Sequence, residues 1–372
     1  MKLRYWIRKT AALVLPLWCL LFTACRGESI SETSLEGETC AAAELYGDLL
    51  DDSFQGDMEK ILERLGGEGL VAVDVGGELA FENPEIVENF FAGDQPNQEK
   101  ELRFYRACMD GGLIGTRFYA SGGEWRCETV RASWVDGKPV ATYTLDYPLL
   151  KLALTEKGYL IYTCDIPNNT APSKHDGYIE PTTMLRLEPQ EELCIACRDR
   201  YLSKITYNLN NVFTSSWSEE DMSQLCFNDL FLSLYQAESG MYLVYYNNPY
   251  PTDADTNVSH VPGAEFEALI SKYIDVSTEE LKSCAQYDEE TDSYPIVLGG
   301  MHEHVIKAPV PEVTAVTENG DGTITLTVDA LSVEYASDRA FTHQLTVRVS
   351  KDGSFRFVSN QMLHSETDIF PL

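Results

Sequence analysis

Positively charged residues are scarce in this sequence. Its 372 residues include 59 acidic side chains against 28 lysines and arginines, and the formal net charge is −31. A protein that binds DNA or RNA generally needs clustered Lys and Arg to neutralise the phosphates. We therefore expect no nucleic-acid partner. The hydrophobic fraction of 44% is nevertheless sufficient for a folded core.

Long apolar runs are absent near the N-terminus as well. The uncharged run from Ala11 to Ala24 contains Pro16 and is shorter than the roughly 20 apolar residues that a membrane-spanning helix needs. It follows a start with four basic residues and no acidic one. A charged start, a short apolar middle and small residues at the end are typical of a signal peptide. We predict that residues 1–24 are this signal.

Local catalytic signatures are also missing. The sequence contains no Gly-x-Ser-x-Gly, no Ser-x-x-Lys and no His-Glu-x-x-His. We therefore assign no catalytic residue, while a triad assembled from distant residues stays open. Acidic neighbours such as Glu219-Glu220 and Glu289-Glu290 are more simply solvated faces and turns.

Three short motifs resemble parts of metal sites without a complete ligand set. Cys194-x-x-Cys197 has no second pair at the spacing that zinc requires. Asp253-x-Asp255-x-Asn257 begins like a calcium loop, but the turn position that requires glycine holds another residue. His302-Glu303-His304 has no third ligand nearby, and His343 lies on the apolar face of a predicted strand, as a core histidine would. We assign no metal and no cofactor.

The end of the predicted signal carries a more specific pattern. Leu21-Phe22-Thr23-Ala24-Cys25 resembles the lipobox of bacterial lipoproteins, in which small residues precede the cysteine that receives a diacylglycerol. Phe22 departs from the aliphatic residue usual in that family. The resemblance implies that Cys25 is lipidated with acyl chains such as palmitate, and two such chains suffice for durable anchoring. Ordinary secretion after Ala24 stays open as the alternative.

The segment after Cys25 is polar. Residues 25–44 show no apolar period, so we predict a flexible, lipidated tether there. The predicted localisation is therefore the extracellular face of a bacterial cell membrane, where this acidic protein would be part of the cell envelope.

Apolar spacing beyond the tether predicts short amphipathic helices. Met58, Ile61, Leu62 and Leu65 follow a cap at Asp57. A second periodic segment begins at Pro262. Capping patterns at Ser218-x-x-Asp221 and Ser277-x-x-Glu280 predict two further helix starts.

Strands with turn residues between them follow the helices twice along the chain. A loop rich in Pro, Asn and Asp, residues 167–177, is the predicted boundary between the two groups. We predict an α+β fold of two helix-then-antiparallel-meander units. The predicted domains are residues 45–170 and residues 178–372.

Four stretches resemble an uncharacterised family of Gram-positive bacterial surface lipoproteins, and the similarity runs from about residue 70 to 362. The resemblance implies a lipoprotein of unknown function, and it provides no catalytic residues to transfer. The stretches are Glu156–Tyr162, Phe227–Phe231, Val261–Glu267 and Asp338–His343.

The functional prediction is a non-catalytic binding or interaction module at the cell envelope. Its partners would be the membrane, through Cys25, and an unknown envelope protein or small ligand. The aromatic-rich loop Tyr245–Tyr250 is one possible contact surface, although packing on the core is an equally good interpretation of it. Two alternatives stay open: a solute-binding lipoprotein of an uptake system, and an envelope enzyme with a dispersed active site.

Overall fold

The computed structural model describes residues 35–51, 56–77, 79–92, 101–167, 181–205, 207, 210–244, 246–298 and 308–365. The chain divides into two compact units, Met1–Pro148 and Leu149–Leu372. This division lies inside one long strand and upstream of the loop at 167–177 that we predicted as the boundary. Only Pro167 of that loop is among the described residues.

Helices and antiparallel strands alternate in groups along the chain, and the α+β class is confirmed. The helices are α1 Leu35–Glu44, α2 Met58–Gly67, α3 Pro84–Phe90, α4 Glu192–Tyr201, α5 Phe227–Ser239, α6 Gly263–Tyr273 and α7 Thr278–Cys284, with a 3₁₀ turn at Gly47–Leu49. The strands are β1 Ala72–Asp74, β2 Leu102–Ala107, β3 Leu113–Ser121, β4 Glu124–Val135, β5 Lys138–Leu154, β6 Tyr159–Cys164, β7 Thr182–Arg186, β8 Trp217–Ser218, β9 Val258–Pro262, β10 Ser293–Val297, β11 Val310–Asn319, β12 Thr323–Ser332, β13 Ser337–Val349 and β14 Phe355–Ser365.

The N-terminal unit is a sheet covered by helices. Strands β2, β3, β4 and the first part of β5 pair antiparallel in sequence order, and β1 pairs parallel with β2 at the edge. Helix α2 begins where the sequence predicts, because the Asp57 side chain accepts the backbone N–H of Lys60. The chain then leaves the helix through Gly69, whose φ of +77° favours glycine.

The prediction of a flexible tether is wrong for residues 35–44, which form α1. The helix buries Leu35, Thr39 and Ala42 against the sheet. A Cβ atom at Gly115 on β3 would lie 2.2 Å from the Thr39 hydroxyl, so helix and strand approach closely only because that position is glycine. The contact depends on small residues, and a search for periodic large apolar residues cannot detect it.

The C-terminal unit contains a five-stranded sheet in the order β11-β12-β13-β14-β8, with every pairing antiparallel. Helix α6 lies where the apolar spacing predicts it. Its Phe266 ring stacks between Phe231 at 5.0 Å and Tyr294 at 4.1 Å, measured between ring centroids. The last part of β5 forms a smaller antiparallel sheet with β6 and β7.

One predicted helix start is confirmed and another is wrong. The Ser277 hydroxyl accepts the backbone N–H of Glu280 at 3.1 Å and caps α7. Ser218, by contrast, ends strand β8, and its backbone pairs with Asp221 across a tight turn. Helix α5 begins only at Phe227, because the Asp221 carboxylate accepts the backbone N–H and the hydroxyl of Ser223 and closes a local turn instead. Among the described residues, no helix is both long enough and apolar enough to cross a bilayer.

Candidate functional site

A cavity of about 590 Å³ lies in the C-terminal unit, and four polar residues in a row across its sheet form one side of it. Strand register pairs Glu312 on β11 with Asp329 on β12, Asp329 with Thr342 on β13, and Thr342 with His364 on β14. All four side chains line the cavity. We call it the charged cavity.

Two carboxylates are neighbours in this row and are nearly excluded from solvent. The side chains of Glu312 and Asp329 are 4% and 7% exposed. Like charges directly opposite each other on adjacent strands repel, and buried charges need partners. The row therefore requires cations from elsewhere in the unit.

Lys157 supplies the first of these cations from the turn between β5 and β6. Its Nζ lies 3.1 Å from a Glu312 carboxylate oxygen and 2.7 Å from an Asp329 oxygen, and it donates to the backbone carbonyl of Asp338 at 2.9 Å. The three protons of the ammonium group are thereby all used. Gly158, with a φ of +78°, lets the turn close directly after the lysine.

Strands β6 and β7 add two further partners of Glu312. Tyr159 and Arg186 are opposite each other in the register, so both point to the same side. The Tyr159 hydroxyl donates to Glu312 at 2.8 Å, and Arg186 forms an ion pair with the other carboxylate oxygen. Burial, together with the charge of Glu312, raises the pKa of Tyr159, so the phenol stays protonated.

Two residues of β13 contact the Asp329 carboxylate. The Thr342 hydroxyl donates to one carboxylate oxygen at 2.6 Å, and Arg339 Nε lies 3.5 Å from the other. Each oxygen of both buried carboxylates thus has a partner. Desolvation opposes burial of ion pairs strongly enough that apolar residues of equal volume often stabilise a fold as well or better. Stability alone therefore does not account for a buried network of this kind.

Helix α4 places the Cys194-x-x-Cys197 motif beside this network. Both thiols are buried, and Cys194 lines the charged cavity. Burial raises the pKa of both thiols. The two cysteines are unbonded, as are the other six that the described residues contain. The protonated state makes them poor metal ligands and poor nucleophiles at neutral pH.

His343 is a core residue, as the sequence predicts. Its Nδ1 lies 2.6 Å from the amide oxygen of Asn360, and its Nε2 lies 2.9 Å from the Tyr207 hydroxyl. The Asn360 amide nitrogen donates to the carbonyl of Ser215, so its oxygen must face the ring and accept from Nδ1–H. Burial lowers the pKa of His343 to about 4, and the ring is neutral at pH 7.

The remaining sequence motifs lie apart from the charged cavity. Asp253 accepts the backbone N–H of Asp255 in an exposed turn. In the aromatic loop, Tyr246 is 89% exposed, whereas Tyr250 is buried and donates to Glu265. Cys25 and the motif at residues 302–304 lie outside the described residues. No group of three or more metal-binding side chains occurs within the described residues.

Sequence reasoning misses the two acidic residues on which the site depends. Glu312 and Asp329 each stand alone between apolar residues of a strand, and that is the only local signal they give. All of their side-chain partners except Arg186 lie in two of the stretches that carry the family resemblance. Glu156–Tyr162 contains the lysine and tyrosine, and Asp338–His343 contains the arginine and threonine bound to Asp329.

No curated protein matches this chain. No solved structure matches it either. A protein-family model described as a family of unknown function (DUF6070) matches residues 39–372, a range that covers most of the first unit, all of the second and every residue of the charged cavity. The chain therefore belongs to this family of unknown function.

Proposed function

We propose that this protein is a lipid-anchored extracytoplasmic lipoprotein whose C-terminal unit acts as a non-catalytic binding module. The charged cavity carries the proposal. Its volume of about 590 Å³ falls within the range of small-molecule sites, and a few fixed polar groups at its wall are typical of such sites. The unknown ligand would be a small polar molecule of the cell envelope.

The state of the two carboxylates favours binding over catalysis. A general base needs a lone pair that can reach a substrate proton. Glu312 is engaged by Lys157, Tyr159 and Arg186. Asp329 is engaged as completely. Carboxylates whose oxygens are all paired are poorly suited to proton transfer. They can still hold the neighbouring cations in place for a ligand.

The strand pairings argue against the alternative of a solute-binding protein of an uptake system. Such proteins usually have two lobes of alternating strands and helices around parallel sheets. Within the described residues the only parallel ladder is the short pairing of β1 with β2. We also propose the finer architecture of two helix-then-meander units, because α1–α3 precede β2–β5 and α4–α7 precede β11–β14.

A mutant pair tests the cavity. Thr314 lines its mouth and is exposed, so Thr314→Trp would obstruct the cavity without disturbing the core. Thr317 is exposed on the same strand and does not line the cavity, which makes Thr317→Trp the matched control. A set of small polar and charged compounds is screened against the full-length chain by ligand-observed NMR.

We expect bound compounds to lose their signal with Thr314→Trp and to keep it with Thr317→Trp. Binding that survives both substitutions would place the site elsewhere and refute the proposal. A compound that is chemically converted, with the conversion abolished by Glu312→Gln, would establish the enzyme alternative instead. Absence of any binding compound would also count against the module.

The lipid anchor is tested separately, since it rests on the sequence around Cys25. Cells that express the protein are fed an alkyne-bearing palmitate, and the label is detected on the purified chain. We expect labelling of the wild type and none of Cys25→Ala. Cys284→Ala, which removes an exposed cysteine, is the control and should be labelled normally. Equal labelling of all three chains would rule out lipidation at Cys25.

A further inference from the structure

The hydrogen-bonding capacity that is left over in the charged cavity belongs to two arginines. Lys157 uses all three of its protons on the network. Arg186 uses one terminal nitrogen on Glu312, and Arg339 directs only its Nε toward Asp329. A guanidinium group has five N–H donors in a rigid fork. Arg186 also contacts the Tyr159 hydroxyl. Its remaining N–H groups, like those of Arg339, have no hydrogen-bond partner among the described residues.

Both arginines line the cavity and reach solvent. The side chains of Arg186 and Arg339 are 27% and 52% exposed, whereas the carboxylates behind them are almost fully buried. The acidic groups therefore hold the guanidinium groups from inside the protein, and the unused donors remain on the accessible side. A ligand in this cavity meets donors first, and a group with acceptor oxygens satisfies them best.

Charge balance limits how negative that group can be. The cavity wall carries three cations and three anions, since the acidic Glu191 at its rim accompanies the two buried carboxylates. Three negative groups nearby repel a dianion more strongly than a monoanion. Arginine forks match a carboxylate bidentately. The wall also includes Val313, Cys194 and Leu363, which offer an apolar surface to the rest of the ligand.

We infer that the charged cavity binds a small organic monocarboxylate, whose carboxylate is held by Arg186 and Arg339 and whose apolar body contacts the wall beside them. This inference rests on the proposed binding function and specifies its ligand class. The cavity volume is compatible with such a molecule, because about 590 Å³ is far more than an inorganic anion fills.

The test uses three probes of equal chain length and different charge: hexanoate, hexanamide and hexylamine. Each is titrated into the full-length chain by isothermal calorimetry, together with inorganic phosphate. We expect hexanoate to bind and the other three to bind at least tenfold more weakly. Higher salt should weaken hexanoate binding, because the contact is ionic and partly exposed.

Substitutions locate the contact. Arg339→Gln should weaken hexanoate binding about 10- to 100-fold, as expected for loss of a charge-assisted pair. Arg186→Lys keeps a cation for Glu312 but removes the additional N–H donors of the guanidinium group. It should therefore also weaken hexanoate binding. Arg356→Gln is the matched control: Arg356 is an arginine of similar exposure in the same unit, paired with a single carboxylate and absent from the cavity wall. Its affinity should equal that of the wild type.

The outcomes separate the ligand class from the binding function. Hexanamide or hexylamine bound as tightly as hexanoate, and blocked by Thr314→Trp, would overturn the carboxylate assignment and leave the binding module standing. Phosphate bound without hexanoate would do the same in favour of an inorganic anion. Hexanoate binding that neither arginine substitution changes would also overturn the inference. No binding of any probe would overturn the carboxylate assignment, and the compound screen with Thr314→Trp would then decide separately on the binding module.

Discussion

Replacing Lys157 by methionine should destabilise the C-terminal unit strongly. Methionine keeps the length of the side chain but removes the charge that lies 3.1 Å from Glu312 and 2.7 Å from Asp329. Two buried carboxylates would then face each other across adjacent strands with only Tyr159, Thr342 and the more exposed arginines as partners. Removing one partner of a buried ion pair typically costs about 3–5 kcal/mol, so we expect a loss in that range.

Hydrogen–deuterium exchange, measured on peptides of the full-length chain, detects this destabilisation in the affected strands. Amides of β12 and β13 should exchange about 100-fold faster or more in Lys157→Met, which corresponds to a loss of at least about 3 kcal/mol. Lys351→Met is the control, because Lys351 is exposed in the turn between β13 and β14. It should change the same amides by less than about 0.5 kcal/mol.

A second substitution checks the cause. If the loss comes from unpaired negative charge, Asp329→Asn in the Lys157→Met background should recover part of the protection. A loss below about 1 kcal/mol in the single variant would refute the reasoning, because it would mean that water or other groups already solvate the carboxylates. Failure of Asp329→Asn to recover any protection would argue that methionine disturbs packing instead of charge.

Three further predictions concern parts of the fold outside this network. Because the pKa of His343 falls from 6.5 when unfolded to about 4 when folded, its stabilising contribution is complete above pH 6.5 and is lost as the pH drops toward 4. In urea unfolding between pH 7 and pH 4, the free energy of unfolding should fall by roughly 3 kcal/mol more for the wild type than for His343→Gln. Equal falls in the two proteins would contradict this. Gly115→Ala should lower stability by about 1–3 kcal/mol through its clash with Thr39, whereas Gly67→Ala, which meets no atom within 4 Å, should be neutral or slightly stabilising in thermal unfolding. Ser277→Ala should remove the cap of α7 at a cost of about 1 kcal/mol, checked by urea unfolding, with Ser277→Asp retaining most of the stability.

The elements that the sequence predicts well are those specified by neighbouring residues. Helix α6 follows from Pro262 and a regular apolar spacing, and the cap of α7 follows from one serine. Helix α1 is missed because alanines and Thr39 bury it against a glycine on a distant strand. Such a contact depends on how closely the helix and the strand fit together, and the sequence of neither segment alone specifies that fit.

The charged cavity is unpredictable for a related reason. Lys157 is 155 residues from Glu312 and 172 residues from Asp329 along the chain. Nothing in the local sequence of β11 or β12 identifies which cation will neutralise its acid. Strand register makes the match, since it aligns Glu312, Asp329 and Thr342 across three strands. Register depends on the whole sheet, so the site becomes visible only in the structure.

The pairing of Glu312 with Asp329 also affects the order in which this protein can fold. Strands β11 and β12 form a local hairpin that is joined by a short turn, and local contacts normally form early. This hairpin, however, sets two negative charges side by side, and the one cation that contacts both of them, Lys157, lies more than 150 residues away along the chain. We therefore expect the final strands to be less stable without the segment that carries Lys157. Synthesis of the lysine well before the two acids suits this dependence, because their shared counterion is already made when β11 and β12 begin to pair.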